Sequence, residues 1–266
     1  MRVERLELEV VQAIPASTST TDPAILFIHG ARHGAWCWQE YFLPYFASQG
    51  FAAWALSYRG HGASAGRASL ADYTLNDYVN DATTVLADLP ARPVLVGHSL
   101  GGAVVQHVVA AQGQQLRAAV LLASVPPDGV GLLDRLRTDL LKRRDKAQLV
   151  AYLQGQPVPF PHQIFFSPAL DATDRERYVA SIQPESPLIQ RDIQRPIITK
   201  RPQSAPPMLV LGAGRDWFLS HGAVRRTARF YGTRPRFFRG MAHDMMLEPG
   251  WHAVADSIIA FLRTLP

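Results

Sequence analysis

Four short apolar runs, separated by helix-like segments, constrain this chain more than any other feature. They are "AILFI" (Ala24–Ile28), "AAWAL" (Ala52–Leu56), "PVLVG" (Pro93–Gly97) and "AAVLLA" (Ala118–Ala123). Each is too short for a typical helix and apolar on both alternating faces, the pattern of a strand buried on both sides. Between them, Trp38–Ser48 carries aromatics at helical spacing, Leu75–Leu89 follows Thr74 as an N-cap, and Leu100–Gln112 ends near Gly113. Strands alternating with helices require crossover connections, which put helices on both faces of a mostly parallel sheet. The expected fold is therefore α/β and doubly wound.

The alternation lapses between about Pro126 and Pro206, where no core strand can be read. It resumes with "PMLVLGA" (Pro207–Ala213), a helix near Ala223–Tyr231, a strand at "PRFFR" and an amphipathic helix over Trp251–Leu262. We read 1–125 and 207–266 as the core domain and 126–206 as a helical cap inserted late in the sheet. At the start, Val3–Val11 alternates as a half-buried strand would, and a polar loop follows over Ile14–Pro23.

Composition narrows the function. Cys37 is the only cysteine, so neither an intrachain disulfide nor a cysteine metal set is available. The segment "MRVERLELEVVQ" lacks a signal-peptide apolar core, and no run approaches the roughly 18–20 apolar residues of a membrane span. A cytoplasmic protein without a membrane span is expected. The net charge of +5 is scattered. Its one cluster, Lys142-Arg143-Arg144, lies between Asp139 and Asp145 and reads as a solvated helix face. No basic stripe is interleaved with aromatics, so nucleic acid is not an expected partner.

Ligands of open α/β sheets gather at the carboxyl ends of the strands. After the third apolar run comes Gly97-His98-Ser99-Leu100-Gly101, followed by Gly102. This is G-x-S-x-G in a strand–turn–helix context, the setting of a nucleophile elbow. A serine capping a helix between packing glycines is the alternative. In the elbow, small residues admit a tight approach of strand and helix, and the helix N-terminus offers the Leu100 N–H to a developing oxyanion. After the first run, "FIHGARHGAWCW" places His29-Gly30 before a helix, and the Ala31 N–H is the second candidate donor. His29 and His33 also form H-x3-H, but Gly30 and Gly34 point to a loop and no glutamate lies between, so no metal is expected.

Of the nine histidines, His243 is best placed as a base, on a loop after the last strand. His61 and His221 compete with it. Asp216, after the penultimate strand, can orient the imidazole, with Asp128 in reserve and Asp244 read as surface or supporting. The order Ser99, Asp216, His243 suits this architecture. The candidate pocket draws on His29, Trp36, His98, Trp217 and Phe218, with Phe160, Phe165 and Phe166 from the cap.

In these segments and their order the chain resembles an α/β-hydrolase over almost its whole length. The resemblance implies Ser99 as nucleophile, Asp216 as acid, His243 as base and Leu100 and Ala31 as oxyanion donors, with no cofactor. The loop "HGARHGAWCW" more narrowly resembles small plant esterases and hydroxynitrile lyases. The lyases carry lysine directly after the catalytic histidine, where this chain has Asp244, so an esterase is implied. The expected partner is a small-molecule carboxylic ester with an apolar acyl or alcohol part, a thioester or lysophospholipid being alternatives, as are perhydrolase, lactonase or C–C hydrolase chemistry with the same triad. Outside enzymes, a hydrolase-fold ligand receptor is the rival.

Overall fold

The structure, a computed structural model, describes residues 7–16, 23–143 and 164–265. Seven strands form one sheet: β1 Val10–Ala13, β2 Ile25–Ile28, β3 Ala53–Leu56, β4 Val94–His98, β5 Ala118–Leu122, β6 Met208–Ala213 and β7 Pro235–Phe238. Their spatial order is β1-β3-β2-β4-β5-β6-β7. Only β1 runs antiparallel, against β3, and the other pairs are parallel. Every residue of β2, β4, β5 and β6 is buried, which is why these runs show no polar alternation.

Successive residues of a strand point to opposite faces, so one sheet feeds two cores. Phe27, Val96 and Val120 face the side covered by α1 (Trp36–Gln39), α2 (Phe42–Ser48) and the terminal α9 (Trp251–Arg263). Leu26, Leu95 and Leu121 face α3 (Leu75–Ala87), α4 (Leu100–Gln112) and α8 (His221–Phe230). Between β5 and β6 the described residues hold α5 (Leu132–Arg143), α6 (Ala172–Ser181) and α7 (Pro187–Asp192), and no strand. No helix among the described residues is long and apolar enough to cross a membrane.

Two expected elements differ. The helix over Trp38–Ser48 is two helices, because Pro44 has no N–H to return to the Glu40 carbonyl and a continuous helix would lose that bond. The strand expected at Val3–Val11 begins only at Val10 among the described residues. Before it, Glu9 N–H donates to Ser64 Oγ at 2.8 Å and the Glu7 carbonyl accepts from Ala65 N–H at 2.9 Å, tying this stretch to the 57–65 loop. Residues 17–22 of the expected polar loop lie outside the described residues.

The α4 helix sits very close to the sheet. A Cβ on Gly101 would lie 2.3 Å from the Ile28 carbonyl oxygen and 2.6 Å from that of His29, while one on Gly97 would meet Gly101 O at 2.4 Å. These obstacles are main chain and cannot rotate away. Gly101→Ala is therefore expected to lower stability in urea unfolding by about 2 kcal/mol or more. Gly240→Ala, where a Cβ meets nothing within 4 Å, should stay within about 0.5 kcal/mol of wild type.

Candidate active site

The sheet order reverses between β2 and β4, and the crevice opens at their carboxyl ends. Ser99 is the single residue between β4 and α4, half-buried, with φ 52° and ψ −115°. That left-handed backbone is costly for a residue with a Cβ. It is held by Ser99 N–H on the Leu122 carbonyl and by the Gly102 and Val125 N–H groups on the Ser99 carbonyl, all at 3.0 Å. The turn places Ser99 at the N-terminus of α4, whose first N–H groups lack helical partners.

The His29–Gly34 loop lies against this turn, a Cβ on Gly30 coming within 3.1 Å of Ser99 Cβ. Ala31 is on this loop. Both ring nitrogens of His29 are committed: Nε2 accepts from Tyr58 N–H at 3.1 Å, so Nδ1–H donates to the Gly30 carbonyl at 2.7 Å. Fully buried, His29 braces the loop against the end of β3.

From the other side come β6 and β7. His243 Nδ1 lies 2.8 Å from Asp216 Oδ2, both residues nearly fully buried. The other carboxylate oxygen accepts from Phe218 N–H at 2.8 Å and Leu219 N–H at 3.0 Å, so the acid is oriented by main chain. A carboxylate so placed holds the imidazole with its proton on Nδ1 and Nε2 open as a base. The competitors are elsewhere. Asp128 is exposed and pairs with Arg226 at 2.8 Å, His221 Nε2 lies 3.2 Å from the Gly214 carbonyl, and His61 faces Glu185 at 3.4 Å.

Asp244 is not at the surface. It is fully buried, its Oδ2 2.8 Å from His33 Nε2, while His33 Nδ1 lies 2.7 Å from the Ala31 carbonyl. Both partners of His33 are acceptors, so both nitrogens carry protons and the pair is ionic. Burial alone would lower the His33 imidazole, but the Asp244 charge and hydrogen bond raise it. Asp244 is correspondingly held below the ordinary carboxylate range, against the upward push of burial. His98, a candidate pocket residue, points toward this group: Nε2–H donates to the His243 carbonyl at 3.0 Å, and the two rings are 4.7 Å apart. Burial and the neighbouring His243 keep His98 neutral.

Asp244→Asn tests the pair through pH. His33 is raised from its ordinary value of 6.5, so its contribution is full below about pH 6.5 and fades as pH rises through the elevated value. Asp244 is depressed from 3.8, so its contribution is present above that and lost at lower pH. The stability difference between wild type and the variant should peak between about pH 4 and 6.5 and shrink toward pH 9 in urea titrations. A difference independent of pH would mean an uncharged pair.

His98, His243 and Asp244 offer metal-ligand atoms within 4.8 Å of one another. His98 Nε2 is bonded to the His243 carbonyl, His243 Nδ1 to Asp216 and Asp244 Oδ2 to His33, so these three atoms belong to a hydrogen-bonded brace.

Aromatics surround the imidazole. The Phe218 ring is 4.9 Å from that of His243, and Phe165 is 6.5 Å away and 5.7 Å from Phe218. Trp36, half-buried, stacks between His33 and Tyr178 of α6. Phe166 packs on Tyr178 as core, and Trp217 lies under Arg137 of α5. Phe160 lies outside the described residues. Sequence reasoning missed Gln183, Glu185 and Glu248. Glu248 accepts from Ser167 N–H at 2.7 Å and Ala242 N–H at 3.2 Å, joining the 164–167 segment to the His243 loop. Nothing local marks these side chains, because their partners lie far off in sequence.

The model of the alpha/beta hydrolase family matches residues 25–257. Among curated relatives, norfluorocurarine synthase 1 of Strychnos nux-vomica is 35% identical over 107 residues, 40% of each chain. Methyl jasmonate esterase 1 of Vitis vinifera is 30% identical over 148 residues, 54% of this chain and 56% of its own. The chain thus matches about half or less of the length of these two relatives. Among solved structures, an esterase from Exiguobacterium antarcticum superposes with a TM-score of 0.69 at 15% identity, covering 98% of this chain and 97% of that one, a likeness of fold.

Proposed function

The chain belongs to the alpha/beta hydrolase family, and from that premise we propose that it is a serine esterase acting on small carboxylic esters, methyl esters foremost. The observation that carries this reading is the hydrogen bond from His243 Nδ1 to Asp216 on the same strand-end face as Ser99, with Ser99 in a left-handed turn at a helix N-terminus. The curated likeness to a methyl jasmonate esterase supports the methyl ester.

In this proposal Ser99 Oγ attacks the ester carbonyl while His243 Nε2 takes its proton, and Asp216 stabilises the imidazolium. The Leu100 and Ala31 N–H groups hold the oxyanion. In the HG loop the Arg32 N–H is taken by Glu185 and that of His33 by the Gly30 carbonyl, which supports Ala31 as the loop's donor. The alcohol leaves with the proton from His243, and water activated by the same imidazole releases the acid from Ser99. Phe218, Phe165 and Trp36 give the substrate an apolar wall, and the described residues of 126–143 and 164–206 act as its cap.

The test is fluorophosphonate labelling with peptide mapping, beside kcat/KM for methyl, ethyl and butyl esters of one acid. Labelling of Ser99 and a preference for the methyl ester are expected. A folded protein that neither labels nor turns over, yet is thermally stabilised by such esters, would be a ligand receptor instead.

A further inference from the structure

The loop that carries Ala31 is strained, and the groups that hold it come from the segment between β5 and β6. Arg32 has φ 69°, a left-handed backbone rare for a side chain of its size. Left to itself such a residue relaxes, carrying the adjoining Ala31 peptide with it. Three hydrogen bonds prevent this. Arg32 N–H donates to Glu185 Oε2 at 3.1 Å, Gln183 N–H donates to the Arg32 carbonyl at 3.0 Å, and Gln183 Nε2–H donates to the His33 carbonyl at 2.9 Å.

Glu185 is itself fixed from several sides. Its side chain is only 1% exposed, Oε1 accepts from Tyr78 Oη at 2.7 Å and from Ser186 N–H at 2.8 Å, and His61 stands 3.4 Å from Oε2. Tyr78 belongs to α3, so the carboxylate ties three separate parts of the fold together at the rim of the site. Burial opposes its charge, and His61 and Tyr78 outweigh burial to keep it ionised.

We infer that Gln183 and Glu185 are positioning residues that hold Arg32 in its left-handed conformation and thereby aim the Ala31 N–H at the oxyanion, so that the site is complete only when this segment is seated. The inference rests on the esterase reading above. Its physical basis is that an oxyanion donor must already point where charge will develop, and a shift near 1 Å removes most of its effect. It also gives His61 a place: conserving charge at Glu185 rather than acting as a base.

The experiment measures kcat and KM with p-nitrophenyl acetate, and inhibition by phenylboronic acid, which forms a tetrahedral adduct on an activated serine. Wild type is compared with Gln183→Ala, Glu185→Ala and Glu185→Gln, each checked for thermal stability. Glu185→Ala should lower kcat roughly 10- to 100-fold with KM within about twofold, and weaken the boronate by a similar factor. Gln183→Ala, at a half-buried position, should show a smaller loss of the same kind. Glu185→Gln should not restore kcat, because its oxygen stays with the Ser186 N–H and Tyr78 hydroxyl at the Oε1 position and its NH2 then opposes the Arg32 N–H, donor against donor.

Variants that fold and retain wild-type kcat and boronate affinity would overturn the inference, as would a loss confined to KM. If Glu185→Ala fails to fold, Gln183→Ala decides by the same criteria. A wild type with neither turnover nor fluorophosphonate labelling would remove the esterase reading, and the inference with it, whereas an active wild type with indifferent variants removes the inference alone.

Discussion

Ser99→Ala is expected to reduce kcat for ester hydrolysis by roughly 10,000- to 1,000,000-fold, with KM changed less than about threefold. In the proposed mechanism the variant removes the atom that forms the acyl-enzyme, while the proposed oxyanion donors and the aromatic wall remain. Its backbone must still adopt φ 52°, and alanine tolerates that region no better than serine does, so the turn is neither relieved nor newly strained. The measurement is single-turnover release of p-nitrophenol with urea unfolding as control. A folded variant that keeps more than a hundredth of wild-type kcat would show that another group is the nucleophile. The residual rate, rather than zero, reports what the oxyanion donors contribute without it.

Asp216→Asn should lower kcat by about 10,000-fold near neutral pH, although the side chain is nearly isosteric. The reason lies in its partners. Oδ1 accepts two main-chain N–H groups, from Phe218 and Leu219, so an asparagine is compelled to keep its carbonyl oxygen there. Its amide then faces His243 Nδ1, which must accept a hydrogen bond instead of donating one. The imidazole proton moves to Nε2, the wrong side for a base. Stability should change little, because the two main-chain hydrogen bonds persist unchanged and the one to His243 persists with donor and acceptor exchanged. Asp128→Asn, at the exposed pair with Arg226, should leave kcat unaltered. Reversed results for the two variants would reassign the acid.

The apolar runs were legible as strands because a strand buried on both faces shows its burial in every residue. All four, and the later strands read at Pro207–Ala213 and "PRFFR", begin and end within one residue of the observed element. The split of the Trp38–Ser48 helix is also written in the chain, at Pro44, although the helical spacing of aromatics runs across it. At the site, the elbow was legible because its glycines are consecutive with the serine, and main chain meets main chain there. The pair His33–Asp244 was half legible: both residues belong to motifs already singled out, yet neither names its partner 211 residues away.

What the sequence by itself determined is therefore local in origin: the α/β alternation, the strand–turn–helix around Ser99, and the order in which Ser99, Asp216 and His243 follow strand ends. These rest on side-chain periodicity and backbone sterics, which act over a few residues. Only the tertiary structure decided that Asp216 rather than Asp128 bonds His243, that Asp244 is buried against His33, and that Gln183 and Glu185 hold Arg32. Each is a hydrogen bond or ion pair between side chains or loops distant in sequence. Its energy depends on a separation of a few ångströms and on exclusion of water, and packing alone establishes both.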